Sequence, residues 1–219
     1  MSSSMTLYES NDFITNTYPN RDEWLKSRIG SIGGSDAACV IDANSYKSRE
    51  QYKQEFIDQT IVEIKDNKAM KDGRALEEPI RQMFEIDYGS KYDLYYFDNT
   101  ILFKKDNKQL AYSPDGLLFR KKDKKKGIHE IKTTYIKNDS QMFNWENQLP
   151  HSYYIQVLHG LIVTNFDFVV LTAKLFVYKP NNQSYNIIKN YFIERSDVEE
   201  DIKYLLEHEL AFLSEVNSK

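Results

Sequence analysis

Asp115, Glu130 and Lys132 are the residues whose types and spacing most plainly suit chemistry, and all three fall in one stretch, AYSPDGLLFRKKDKKKGIHEIKTT, residues 111–134. The stretch reads as a β-hairpin. Asp115 follows a Ser-Pro turn, and Leu117-Leu118-Phe119 continue as a short apolar strand. A turn from Arg120 to Gly127 carries six cations around one Asp, and Ile128 to Thr133 form the return strand. Side chains alternate faces along a strand, so Glu130 and Lys132 share a face, roughly 7 Å apart, while Ile131 points into a core. Hairpin pairing can bring Asp115 alongside Glu130. Two carboxylates and an ammonium at one point suit a hard divalent cation, with the lysine left to handle a water or an oxyanion. A solvated hairpin with cross-strand charge pairs uses the same residue types.

The elements that must position this stretch are legible on either side of it. Residues 1–18 read as a polar tail. Asn20 caps a helix carrying Trp24, Leu25 and Arg28, with Glu23 reaching back to the cap and Gly30 ending the helix. Gly33-Gly34-Ser35 turns tightly, and Ser35 is expected to cap a second helix of small residues. A helix start with a serine hydroxyl, close to Arg28, is a natural phosphate site; the same residues also read as a plain cap and a surface cation. Ser48 and Gln51 start a further helix that buries Tyr52, Phe56 and Ile57. After a polar stretch around Lys65 to Lys71, Ile80, Met83, Phe84 and Tyr88 follow helical spacing up to Gly89. Pro79 is best accommodated in a first turn, which puts Glu77 and Glu78 near the start of the helix or at a kink.

Tyr92 to Phe97 and Ile101 to Lys104 read as strands leading through Leu110 to the hairpin. Beyond it come a polar loop with Trp145 and a helix from His151 to Val163 that contains Tyr153 and Gln156. A strand pair follows, Phe166 to Tyr178 and Tyr185 to Ile193, joined by a Pro180-Asn181-Asn182 turn. Ser196-x-x-Glu199 reads as a capping box for a last helix with Val198, Ile202, Leu205 and Leu206 on its apolar stripe. The expected architecture is α/β: one mixed β-sheet flanked by helices, with a single domain over 19–195 and a C-terminal helix over 196–219.

Composition agrees with a globular chain of 219 residues, 28% charged and 41% hydrophobic. Its one cysteine, Cys39, excludes an internal disulfide framework, a Cys-rich zinc site and a cysteine-ligated iron–sulfur cluster, and fits a reducing cytoplasm. An 18-residue apolar run is absent, and residues 1–11 lack the basic start and apolar centre of a signal peptide. A cytoplasmic place, with no membrane partner, is therefore expected. The formal charge of −4 gives no general attraction to nucleic acid, although a basic face can stand beside an acidic metal site.

Five segments in order resemble the YqaJ-like viral recombinase family, relatives of the phage lambda exonuclease within the PD-(D/E)xK nuclease superfamily. They are W-x-x-x-R-x-G-x-I-G-G-S-D at Trp24 to Asp36, G-x-x-x-E at Gly73 to Glu77, S-P-D-G at Ser113 to Gly116, E-I-K at Glu130 to Lys132, and Y-x-x-Q at Tyr153 to Gln156. The resemblance implies a restriction-endonuclease-like core and a 5′-to-3′ exonuclease on linear duplex DNA, leaving 3′ single-stranded tails for recombination. It also implies Mg²⁺, with Mn²⁺ as a substitute. By the same likeness Asp115 and Glu130 bind metal with the Ile131 carbonyl and Glu77, Lys132 handles the attacking water, Gln156 places water or phosphate, and Arg28 and Ser35 grip the 5′-phosphate. Spacing from Gly73 favours Glu77, whereas adjacency to proline favours Glu78 as a substitute. A ring-shaped homo-oligomer (a trimer) and a single-strand annealing protein are further implied partners that no residue specifies. Two other readings use the same residues: an endonuclease of defence or repair, and a catalytically inactive DNA-binding or regulatory relative.

Overall fold

The computed structural model describes residues 10–44, 46–59, 68–146, 148–178 and 184–218. The Pro180-Asn181-Asn182 turn, residues 1–9 of the tail and residues 65–67 lie outside the described residues.

The strands fall into two sheets, not one. The first contains β1 (Phe13–Thr17), β4 (Thr100–Lys104), β5 (Leu110–Tyr112) and β2 (Ile32–Gly33), in that order. The second runs β3 (Tyr92–Tyr95), β6 (Gly116–Arg120), β7 (Lys125–Ile136), β8 (Phe168–Tyr178), β9 (Ser184–Glu194). Residues 13–17, expected in the polar tail, are a strand because Phe13 buries itself and the backbone pairs with β4. Strands β7 and β8 are parallel, which requires a crossover. Helix α6 (His151–Thr164) provides it, and every residue from Ile155 to Thr164 is buried. This helix packs against both sheets. Such all-round burial explains why its sequence is apolar on nearly every side.

Local signals set several boundaries. Asn20 accepts from the Glu23 N–H to cap α1 (Arg21–Ser27), and Gly30 takes the left-handed conformation (φ +74°) that turns the chain after it. Ser48 and Gln51 form a reciprocal capping box on α3 (Arg49–Ile57). Two expectations fail. Helix α2 (Ala37–Val40) is only four residues long and begins after Asp36, so Ser35 caps nothing. Ser196 and Glu199 form no capping box either: residues 195–197 make a 3₁₀ turn, Glu199 pairs with Arg195 at 2.8 Å, and α7 (Glu199–Asn217) starts without a side-chain cap.

Helix α4 is one continuous run, Lys68–Tyr88, with Gly73 and Pro79 inside it. Glu77 and Glu78 therefore sit in mid-helix, not at its start, because packing overrides the local cost of proline. Ile80 and Phe84 are buried on the side facing β7, and Glu77 lies on the same stripe three and seven residues earlier. Short helix α5 (Asp139–Phe143) precedes a buried Trp145 in what was expected to be a polar loop. Helix α7 packs on α2, α3 and α6. Among the described residues no helix is long and apolar enough to cross a membrane.

Candidate active site

Strand β6 pairs antiparallel with β7, with Gly116 opposite His129, so the residue before Gly116 emerges at Glu130. Asp115 Oδ2 accepts the Ile131 N–H at 2.7 Å. Hairpin register has thus joined two carboxylates separated by fourteen residues of sequence. Glu130 is 2% exposed and surrounded by donors. Lys132 Nζ and Gln156 Nε2 donate to its Oε1 at 2.8 and 2.5 Å, and the Tyr112 hydroxyl donates to Oε2. Gln156 comes from α6, Tyr112 from β5, and Lys132 lies two residues along β7. The Tyr153 ring stands 5.3 Å from the Lys132 ammonium.

Electrostatics follow from this crowding. Burial, then the like charge of Glu130, hold the Asp115 carboxyl well above the ordinary carboxylate range, against the pull of Lys132. Burial works against the Lys132 ammonium, yet Glu130 and Asp115 win and raise its pKa. Burial and the Glu130 carboxylate push the Tyr112 phenol well up, so it remains a donor.

Glu77 and Glu78 separate in space. Glu77 lines the same cleft as Asp115, Glu130 and Ile131, and burial lifts its carboxyl above the usual range against the pull of Arg81 and Lys132. Its side chain is 33% exposed, against 63% for Glu78. Arg81 pairs with both, at 3.3 and 3.5 Å, and its guanidinium lies over Tyr96.

The cleft, about 910 Å³, continues to the Gly33-Gly34-Ser35 loop. Arg28 donates to Ser35 Oγ at 3.2 Å and stands 3.6 Å from Asp36. Any anion-binding capacity here rests on those side chains, because a four-residue helix has no macrodipole to add. Asp36 also offsets part of the Arg28 charge. The Trp24 indole lies under both Arg21 and Arg28 and donates to Ser113 Oγ at 3.2 Å, two residues before Asp115. Gly34 fixes how closely the loop approaches: a Cβ there would stand 2.8 Å from the Tyr112 ring and 3.2 Å from Gln156.

Sequence reasoning missed Tyr112, Arg81 and the Trp24–Ser113 link. Arg81 carried a readable signal, since it lies four residues after Glu77 on one helix face. Tyr112 carried none, because its contact with Glu130 joins two sheets.

The fit of a divalent metal can be judged from the donors. Asp115 and Glu130 are hard oxygen ligands forced together, and Asp115 Oδ1 has no hydrogen bond among the described residues. A cation would relieve their repulsion, and one or two carboxylates with waters are what Mg²⁺ takes. Among the described residues no three His, Cys, Asp or Glu side chains form a metal-holding group. Glu77 faces the pair across the cleft but remains with Arg81. The donor set therefore fits a metal held by two carboxylates and main-chain oxygen, without a closed cage.

Several known proteins share this architecture. The alkaline exonuclease LHK-Exo of Laribacter hongkongensis, solved in complex with dAMP, matches with a TM-score of 0.67 at 22% identity, covering 90% of this chain and 93% of that one. A phage-related exonuclease from Haemophilus somnus 129PT matches with a TM-score of 0.53 at 13% identity, over 86% of this chain and 95% of that one. At these identities the likeness establishes the fold, a restriction-endonuclease-like α/β core. The uncharacterized protein YqaJ of Bacillus subtilis (strain 168) is 28% identical over 195 residues, 86% of this chain and 58% of that protein, so the chain spans little over half of that relative's length. Residues 23–167 match the YqaJ-like viral recombinase domain, and the chain belongs to that family.

Proposed function

We propose that this protein is a divalent-metal-dependent deoxyribonuclease that degrades linear duplex DNA from a 5′ end. The observation that carries the reading is the Asp115–Ile131 hydrogen bond, which holds a second carboxylate beside Glu130 in an open cleft. The fold neighbour solved with dAMP, a mononucleotide, supports the same class of substrate.

Asp115, Glu130 and the Ile131 carbonyl would hold Mg²⁺, or Mn²⁺ in its place, and Glu77 of α4 would complete the site by exchanging Arg81 for the metal. The metal, when bound, neutralises charge developing on the scissile phosphate. Lys132, an ammonium beside Glu130, orients the attacking water by donating to it. Gln156 and Tyr112 hold the Glu130 carboxylate from two sides. Arg28 and Ser35 receive the terminal 5′-phosphate. An anchor at a fixed distance from the hydrolytic residues selects a bond close to an end, which makes the reaction exonucleolytic. The 3′ single strand left behind is a substrate for an annealing protein, and a ring of three copies would retain the duplex between cuts.

The test is digestion of end-labelled linear duplex, with and without Mg²⁺, with 5′-phosphate and 5′-hydroxyl ends, alongside a supercoiled circle. Mg²⁺-dependent release of mononucleotides from phosphorylated 5′ ends, with the circle intact, is expected. Cleavage of the circle would replace the reading with an endonuclease, and binding without any hydrolysis would replace it with an inactive DNA-binding relative.

A further inference from the structure

Helix α7 lies wholly beyond the stretch matched by the family domain, yet it inserts a carboxylate into the middle of the molecule. Its buried stripe is Ile202, Leu205, Glu209, Phe212, Leu213 and Val216. A glutamate on such a stripe demands a partner. The partner is His159 of α6: Nδ1 and Glu209 Oε1 are 2.6 Å apart, and neither residue has any exposure. The other ring nitrogen, Nε2, meets the Ala111 carbonyl at 3.0 Å. A carbonyl only accepts, so Nε2 carries a hydrogen. One more proton must then lie between Nδ1 and Oε1, whether the pair is written as imidazolium with carboxylate or imidazole with acid. Burial disfavours the imidazolium, but Glu209 and the Ala111 carbonyl prevail and raise the histidine pKa above its ordinary value.

The position of this pair matters more than its charge. Ala111 precedes Tyr112, whose hydroxyl holds Glu130, and Gln156, which holds the other Glu130 oxygen, lies one turn before His159. Gly160, next along α6, lets the helix approach until a Cβ would be 2.8 Å from Tyr112 Cζ. A slide of α6 against β5 would therefore move both neutral donors on Glu130 together, and His159 is the polar bond that pins this contact.

We propose that His159 and Glu209 are positioning residues for Glu130, so that the C-terminal helix is part of the active centre. The inference rests on the assignment of Glu130 to the hydrolytic site. Burying an ion pair often contributes little to stability, and well-packed apolar residues in its place are frequently neutral or stabilising. Glu209 Oε2, buried without a protein partner among the described residues, makes this pair costlier still.

The experiment compares wild type with His159→Leu/Glu209→Leu and with Glu209→Gln. It records Tm, the NMR signals of the Gln156 amide and Tyr112 ring, and kcat and KM on linear duplex. The leucine pair is expected to keep or raise Tm, to shift the Gln156 and Tyr112 signals, and to lower kcat about tenfold with KM unchanged. Glu209→Gln, whose amide can donate to Nδ1 while Nε2 still donates to Ala111, should stay close to wild type. Unshifted signals in the leucine pair, or unchanged kcat at retained Tm, would overturn the proposal. Should the pair lose its fold, Glu209→Gln and Glu209→Met decide on the same signals. A wild type inactive on DNA speaks against the proposed function alone, because the NMR arm still reads the positioning.

Discussion

On the face of β7 turned toward α6, Glu130 and Lys132 form a charged layer closed in by Tyr112 and Gln156 and open to the cleft on one side. On the opposite face, turned toward α4, His129 is equally buried and equally hydrogen-bonded, yet neutral. Its Nε2 meets Thr172 Oγ1 at 2.9 Å, and Thr172 in turn donates to Asn190 Oδ1 at 2.7 Å. The threonine must therefore accept from His129, which leaves Nδ1 to accept from the Tyr96 hydroxyl at 3.0 Å. Burial, assisted by Arg81, pushes this histidine down to about 3. Phe84 packs on its ring at 4.3 Å between centroids. The difference teaches what separates a candidate reactive layer from a supporting one. On the α4 face the His129 ring is satisfied internally, by Tyr96 on one nitrogen and Thr172 on the other, and has no lone pair or proton left for a ligand. The α6 side sets the Asp115 and Glu130 carboxylates against each other beside one ammonium, a repulsion that an incoming cation would relieve.

The most direct way to break this contrast is to remove a carboxylate from the charged face. Asp115→Ala or Glu130→Ala should lower Mg²⁺-dependent cleavage by at least ~10³-fold, about 4 kcal/mol, with the circular-dichroism spectrum unchanged. A mutant that still digests duplex at the wild-type rate would remove the assignment. Lys132→Ala should reduce kcat about 100-fold while DNA affinity, followed by anisotropy, stays nearly constant. Loss of affinity at constant kcat would make it a binding residue instead. On the opposite face, His129→Ala should cost about 2–4 kcal/mol in urea unfolding, because it opens a cavity under Phe84 and strips the Tyr96 hydroxyl of its acceptor. Its effect on kcat should remain far below that of Glu130→Ala. Outside both faces, Arg28→Ala should reduce the preference for 5′-phosphorylated over 5′-hydroxyl ends about tenfold, about 1.4 kcal/mol, in competition digests.

The smallest effect concerns pH. The pKa of His159 is raised on folding, so the stability it contributes is complete below the unfolded value of about 6.5 and is lost as pH rises through the folded value. Wild-type Tm should accordingly fall more steeply on the alkaline side than that of His159→Leu/Glu209→Leu, as scanning calorimetry at stepped pH would record. Equal slopes would show that the pair does not hold its proton more tightly when folded.

The sequence was most informative where structure is local. Alternation along Ile128 to Thr133 put Glu130 and Lys132 on one face, the Asn20 and Ser48 caps started their helices, and helical spacing from Ile80 to Tyr88 oriented α4. It misled where packing overrode local preference. Pro79 sits inside α4, Ser35 and Ser196 cap nothing, and Phe13 draws residues 13–17 out of an apparently polar tail into a sheet. The division of the strands between two sheets was equally hidden, since Tyr92 to Tyr95 and Thr100 to Lys104 are sequence neighbours that pair with different partners.

By itself, then, the sequence determined the α/β fold class and the candidate chemistry, because side-chain type and short-range periodicity are written into the chain directly, while the family was legible only through the resemblance of five ordered motifs. Tertiary structure alone decided which of two adjacent glutamates looks into the cleft, which tyrosine holds Glu130, and that a helix near the C-terminus sends Glu209 to His159. Those contacts join residues 18 to 50 positions apart. They arise from how two sheets close on α6, a geometry set by the packing of the whole core and by no local stretch of sequence.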